Sequence, residues 1–149
     1  MNLCHALIPS GGSGQRFGGK LAKQYQMLFD RPMVNHCVET FIKSPKIHEV
    51  WVAVSPLSRD LFDGTYTWPS SSKLRVEGTG GLTRHDTVLN TLNLMVEQLV
   101  SLDDWVLVHD AARPCLTPTQ LDALITARPK PHIQKAYFPR TARALLAKP

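Results

Sequence analysis

Residues 3–23 read LCHALIPSGGSGQRFGGKLAK, an apolar run from Leu3 to Ile8 that gives way at once to a stretch dominated by glycine. The apolar run has the length and composition of a buried strand. Glycine loses the most conformational freedom on being fixed, so Gly11, Gly12, Gly14 and Gly18 argue against a helical or extended path and for a loop. Without β-carbons, backbone N–H groups in such a loop can converge on an anion, and Arg16, Lys20 and Lys23 set three cations just beyond them. A polyphosphate is the natural guest.

Two familiar loops can be tested on this stretch. A dinucleotide-binding G-x-G-x-x-G begun at Gly12 needs glycine at position 17, where Phe17 stands. A phosphate-binding G-x-x-x-x-G-K-[ST] can be laid over Gly14 to Lys20, but Leu21 follows, so the hydroxyl that should hold magnesium is absent. A P-loop NTPase stays open as an alternative, and it would make Lys20 essential. The spacing of Arg16 and Lys23 resembles instead the signature loop of sugar- and polyol-phosphate nucleotidyltransferases.

Outward from this loop, strand and helix patterns alternate. RPMVNHCVETFI carries Met33, Val34, Cys37, Val38, Phe41 and Ile42 at helical spacing, with Pro32 suited to its first turn. EVWVAVS, Glu49 to Ser55, is β-branched and stops at Pro56. Lys73 to Glu77 reads as a short third strand ending at Gly78-Thr79-Gly80-Gly81, and Thr83 as the cap of a helix with Val88, Leu89, Leu92, Met95, Val96 and Leu99 on its apolar face. WVLVH, Trp105 to His109, is a fourth strand leading into DAARP, and Thr117 can cap a last helix bearing Leu121, Leu124 and Ile125. The alternation predicts a doubly wound, mostly parallel α/β sheet of Rossmann-like type. Ligands bind such sheets outside the carboxyl ends of the strands, where the order reverses. The glycine loop, Gly80 to Thr87 and Asp110 to Pro114 all fall at such ends.

Composition bounds the rest. A chain of 149 residues with 43% apolar and 19% charged residues fits one globular domain. No apolar run approaches a membrane span and no signal-like segment opens the chain, so a cytoplasmic protein is expected. Cys4, Cys37 and Cys115 are odd in number and form no C-x-x-C, which indicates buried free thiols and no zinc site. The net charge is +5, of which residues 127–149 carry +6 and the remainder −1. Basicity confined to a short Pro-rich tail argues against a nucleic-acid-binding face.

Taken together, PSGGSGQRF with LAKQY, GGLTRHDTVLNTL and WVLVHDAARPCL resemble the 2-C-methyl-D-erythritol 4-phosphate cytidylyltransferase family of the non-mevalonate isoprenoid pathway. HDAARP is the most discriminating part. The resemblance implies a nucleotidyltransferase of nucleotide-diphospho-sugar transferase fold that moves CMP from CTP to methylerythritol phosphate and releases diphosphate. It makes Arg16 and Lys23 the catalytic pair. It places Ser10, Gly11, Gly12, Ser13 and Gly14 on the triphosphate, and Gly81, Arg84, Thr87 and Ala111 at the cytosine and ribose. It gives Asp110 to a magnesium ion. Ribitol-5-phosphate cytidylyltransferases share much of the pattern and are the alternative, beside a non-catalytic nucleotide-binding fragment.

The resemblance covers residues 3 to about 126. Ser10 and Gly11 stand where the family usually has alanines, Ala22 replaces a proline, and Leu82 replaces an acid. Residues 1–126 are therefore expected to form a partial CTP-binding domain. Residues 127–149 are expected to be a non-matching tail, as from a truncated or frameshifted product. That tail shows no sustained period. On this reading the acceptor site and the family's dimerisation arm are missing, which would compromise both transfer activity and the homodimer.

Overall fold

The N-terminal apolar run becomes β1 (Cys4–Ser10), and the chain continues through β2 (Met27–Leu28), β3 (Arg31–Pro32), α1 (Met33–Lys43), β4 (Val50–Val54) and β5 (Leu74–Glu77). It ends with α2 (Arg84–Glu97), β6 (Trp105–Val108), α3 (Pro118–Ala127) and β7 (Arg143–Leu146). The computed structural model describes residues 2–12, 22–127 and 143–146. Ser13, Gly14, Arg16 and Lys20, all singled out from the sequence, lie outside the described residues.

The strand order is β5-β4-β1-β6-β7, and each neighbouring pair is parallel. Side chains alternate between faces with period two, and both faces are buried, as parallel sheets require. Cys4, Ala6 and Ile8 of β1 join Val50, Val52 and Val54 of β4 and Trp105 and Leu107 of β6 on one face. There they meet Val34, Cys37, Val38 and Phe41 of α1 and Leu121 and Ile125 of α3. Leu7, Trp51, Val106 and Val108 face the other way, onto Leu92 and Met95 of α2. Helices on both faces of a parallel sheet confirm the doubly wound α/β architecture.

Strand β1 runs two residues beyond the expected Ile8, through Pro9 and Ser10. Proline cannot donate to a ladder, yet the register explains its place. Ala6 N–H donates to Glu49 O on the β4 side, whereas Leu7 O accepts from His109 N–H on the β6 side, so odd-numbered residues of β1 address β6. Pairing with β6 ends at Leu7↔Val108. The missing N–H of Pro9 therefore faces an edge that β6 has already left.

Helix α2 starts as expected at Thr83, with a reciprocal capping box. Thr83 Oγ1 accepts from Asp86 N–H at 3.1 Å, and Asp86 Oδ2 accepts from Thr83 N–H at 3.1 Å. Helix α3 starts likewise. Gln120 N–H donates to Thr117 Oγ1 at 3.2 Å and Thr117 N–H to Gln120 Oε1 at 3.0 Å.

Three features depart from the sequence reading. The β2–β3 hairpin was not legible, being two residues a side. Cys115 is exposed, so only Cys4 and Cys37 are buried thiols. Within the tail, Arg143–Leu146 pairs with β6 as a fifth strand. Four residues are too short for a hydrophobic period, and the pairing itself defines this strand.

At the amino end of the sheet, His5 lies between two carboxylates, with Nδ1 3.5 Å from Glu49 Oε2 and Nε2 3.4 Å from Asp104 Oδ2. Burial nevertheless pushes its pKa below the ordinary 6.5, outweighing the carboxylates, and burial does the same to His109. Unfolded imidazoles bind protons at higher pH than these two, so their contribution to stability is complete above the unfolded pKa and lost as pH falls below it. The melting temperature should therefore fall between about pH 7 and about pH 5, with a shallower slope in His5→Gln. A flat profile for the parent protein would contradict the burial of neutral imidazoles.

Candidate functional site

Reversal of strand order occurs at β1, whose first crossover leads to β4 on one side while β6 lies on the other. The chain segments leaving β1, β5 and β6 all open at this carboxyl end, where doubly wound sheets bind ligands. Backbone contact holds the first two together. A β-carbon on Gly11 would lie 2.8 Å from Gly80 Cα, and one on Gly80 would lie 2.8 Å from Val54 O and 3.1 Å from Gly11 Cα. Only residues without side chains allow this approach. Gly80 N–H donates to Val54 O at 2.8 Å, which seats the Gly78–Gly81 turn on the end of β4.

That turn is fastened to α2 by hydroxyls. Thr87 Oγ1 accepts from Gly81 N–H at 2.9 Å and donates to Thr83 O at 3.0 Å. Thr79 and Thr91 share a hydrogen bond of 2.7 Å, and Asn90 Nδ2 donates to Thr79 O at 3.2 Å. Thr87 is buried and its hydroxyl is already engaged on both counts. Leu82, beside it, is fully exposed.

Asp110 follows β6 and accepts from two arginines. Arg84 Nε and Nη2 donate to Oδ1 at 3.1 and 2.9 Å, and Arg113 Nε lies 3.1 Å from Oδ2. Arg84 is the first residue of α2, so this pair joins the second and third predicted stretches. Ala111 is buried, and its carbonyl accepts from Cys37 Sγ at 3.5 Å. Burial pushes the Cys37 thiol up to about 11, so it stays protonated and able to donate.

At the glycine loop itself, the described ends are Ser10–Gly12 and Ala22–Tyr25. Lys23 opens a single 3-10 turn, Lys23–Tyr25. The next two side chains reach back to the loop's beginning. Gln24 Nε2 donates to Ser10 O at 3.2 Å and to Gly12 O at 3.0 Å. Tyr25 O–H donates to Ser10 O at 2.9 Å and lies 2.9 Å from Ser10 Oγ, which supplies the second hydrogen. The Ser10 hydroxyl is thus turned into the protein. Neither Gln24 nor Tyr25 was assigned a role from the sequence. A three-residue turn carries no period, and their only signal was position, directly after Lys23.

The structure thus joins Gly11 to the Gly80–Gly81 turn, that turn to Thr87, and Arg84 at the start of the same helix to Asp110, with Gly12 and Lys23 tied in through Gln24, whereas Ala111 packs into the core beside Cys37. Among the described residues no group of three or more His, Cys, Asp or Glu is placed to hold a metal ion. A magnesium ion commonly takes one or two carboxylates and completes its shell with phosphates and water. Asp110 fits that use as a single carboxylate, provided the arginines yield an oxygen.

Comparison with known proteins places the chain beside one family. The family model of 2-C-methyl-D-erythritol 4-phosphate cytidylyltransferase matches residues 4–136. A curated relative of that name from Nitrosospira multiformis is 46% identical over 122 residues, covering 80% of this chain and 52% of the relative. One from Dechloromonas aromatica is 44% identical over 121 residues, covering 80% and 52%. Among solved structures, a 4-diphosphocytidyl-2C-methyl-D-erythritol synthase superposes with a TM-score of 0.70 at 30% identity, covering 85% of this chain and 54% of that one. The Francisella tularensis 2-C-methyl-D-erythritol 4-phosphate cytidylyltransferase gives 0.63 at 30% identity, covering 83% and 49%. The chain spans about half the length of the curated relatives it matches.

The mouth depends on the Gly11–Gly80 approach. Gly80→Ala should destabilise the protein by about 1–3 kcal/mol, because the new methyl meets backbone that must shift. Denaturant unfolding measures this, and an unchanged midpoint would show that the two loops are not held at this distance.

Proposed function

Since this chain belongs to the 2-C-methyl-D-erythritol 4-phosphate cytidylyltransferase family, we propose that its carboxyl-end mouth binds CTP and serves transfer of CMP to methylerythritol phosphate. The observation that carries the reading is the junction of a glycine loop with the Gly80–Gly81 turn and the Arg84–Asp110 pair at the switch point of the sheet. In the reaction a phosphate oxygen of the acceptor forms a bond to the α-phosphorus of CTP. The bond from that phosphorus to the bridging oxygen breaks, and diphosphate leaves with the electron pair. Negative charge spreads over the α-phosphoryl oxygens, so catalysis is chiefly positioning and electrostatics.

Gly11 and Gly12 then present backbone N–H groups to the triphosphate, together with Ser13 and Gly14. Lys23 and Arg16 stabilise the charge that develops at phosphorus. Gly81, Thr87 and Ala111 form the wall for base and ribose, and small or buried side chains there leave the backbone to make contact. Arg84 and Arg113 hold the Asp110 carboxylate in place and keep the mouth positive. A magnesium ion, when bound with the nucleotide through Asp110, supplies neutralisation of the phosphate charge. Such small-molecule chemistry suits a cytoplasmic setting.

Calorimetry of CTP binding in magnesium buffer tests the proposal. Wild type should bind, and Lys23→Ala should bind at least about tenfold more weakly, as loss of a charge-assisted contact implies. Diphosphate release on adding methylerythritol phosphate then tests transfer. Absence of CTP binding by the folded chain would refute the nucleotide site.

A further inference from the structure

Gln24 is buried, and both hydrogens of its amide are spent on loop carbonyls, Ser10 O at 3.2 Å and Gly12 O at 3.0 Å. Tyr25, also buried, places its hydroxyl hydrogen on the same Ser10 carbonyl. Burial pushes the Tyr25 phenol up to about 12, so the hydrogen stays there, and the ring is fixed edge-on against Tyr66 at 5.9 Å. Among the described residues no cis peptide is present. In a trans peptide the C=O of one residue and the N–H of the next point in opposite directions. A Ser10 carbonyl held toward Gln24 and Tyr25 therefore turns the Gly11 N–H away from them. Among the described residues, neither Gly11 N–H nor Gly12 N–H has an acceptor.

We propose that Gln24 and Tyr25 are positioning residues that set the peptide polarity at the start of the glycine loop, with carbonyls drawn inward and N–H groups turned toward the phosphate chain of the nucleotide. The inference rests on the nucleotide-binding reading above and deepens it. Glycine accepts backbone angles of either sign, so a peptide flanked by glycine flips at little cost unless something holds it. Flipped, it would present a carbonyl oxygen to a polyanion, which repels it; held, it presents a donor. Gln24 removes the repulsive orientation by occupying the carbonyls. Its position next to Lys23 ties the cation to the same frame.

The test uses the full chain and two probes, inorganic triphosphate by calorimetry and cytidine by NMR titration, both in magnesium buffer. Gln24→Glu keeps the shape but cannot donate, and its carboxylate repels the two carbonyls. Its affinity for triphosphate and for CTP should fall about tenfold or more, the scale of losing donors aimed at an anion, while cytidine binding stays unchanged. Tyr25→Phe, which deletes one hydroxyl and keeps the ring, should show the same split more weakly, and it carries the test alone if Gln24→Glu does not fold. A purely structural role would lower the melting temperature and weaken both probes equally, and that result overturns the proposal. So would triphosphate binding equal to wild type in both variants. Failure of wild type to bind CTP or triphosphate would instead remove the nucleotide reading, and this inference with it.

Discussion

Strand β1 is paired along both edges and covered on both faces, so its polar neighbours can gather only at its two ends. The two ends settle this differently. At the amino end, His5 lies between Glu49 and Asp104, Asp104 also accepts from Leu3 N–H and Ser101 N–H, and Arg75 closes on Glu49. The polar groups there face one another within the fold, although His5 Nδ1 makes no hydrogen bond. At the carboxyl end the carbonyls are taken by Gln24 and Tyr25, while the N–H groups of Gly11 and Gly12 are left without a protein acceptor among the described residues. Gly11 is half-buried and Gly12 exposed, so these donors are open to water or to a ligand. The carboxyl end is thus the one whose backbone donors stay open.

Charge at the mouth follows the same logic. Asp110 is flanked by Arg84 and Arg113, so these three groups carry one net positive charge. The three side chains are between 39% and 55% exposed. Such pairs are worth up to about 1 kcal/mol and rearrange cheaply. A lone cation arriving at Asp110 would meet two guanidinium groups. Arriving with a polyphosphate, it meets an anion that those same guanidinium groups attract. The arrangement therefore disfavours a cation that arrives at Asp110 alone.

Much of this was legible in the sequence because it rests on patterns that sequence carries directly. The apolar and β-branched runs in CHALI, VWVAV and WVLV became the three inner strands, and Thr83 became the cap of α2. The glycine loop, Gly80 to Thr87 and Asp110 to Pro114 could be placed at strand ends because a doubly wound sheet collects those ends by topology. Within them, Gly11, Gly81, Arg84, Thr87, Asp110 and Ala111 were named as site residues only by the family resemblance. What could not be read was geometry between segments distant in sequence. The Gly11–Gly80 approach depends on how two loops cross. The engagement of Arg84 with Asp110 depends on the first turn of α2 meeting the end of β6. Gln24 and Tyr25 carry roles that exist only once the loop has closed, and no local propensity announces them.

The sheet's two flanks show a further limit of the same kind. Strand β5 reads LRVE, with Arg75 and Glu77 alternating with apolar residues, and its side chains are only partly buried. Charged side chains of that sort are how an edge strand avoids pairing with other chains. Strand β6 reads WVLV and is buried at all four positions, as a strand covered on both faces requires. The tail showed no strand pattern that would announce a partner for the free edge of β6. Pairing of Val106 with Ala144 and of Leu107 with Leu145 supplies that partner in parallel register. That partner is thus recognised by its backbone pairing and not by its own sequence, because side chains address the faces of a sheet and backbone groups its edges.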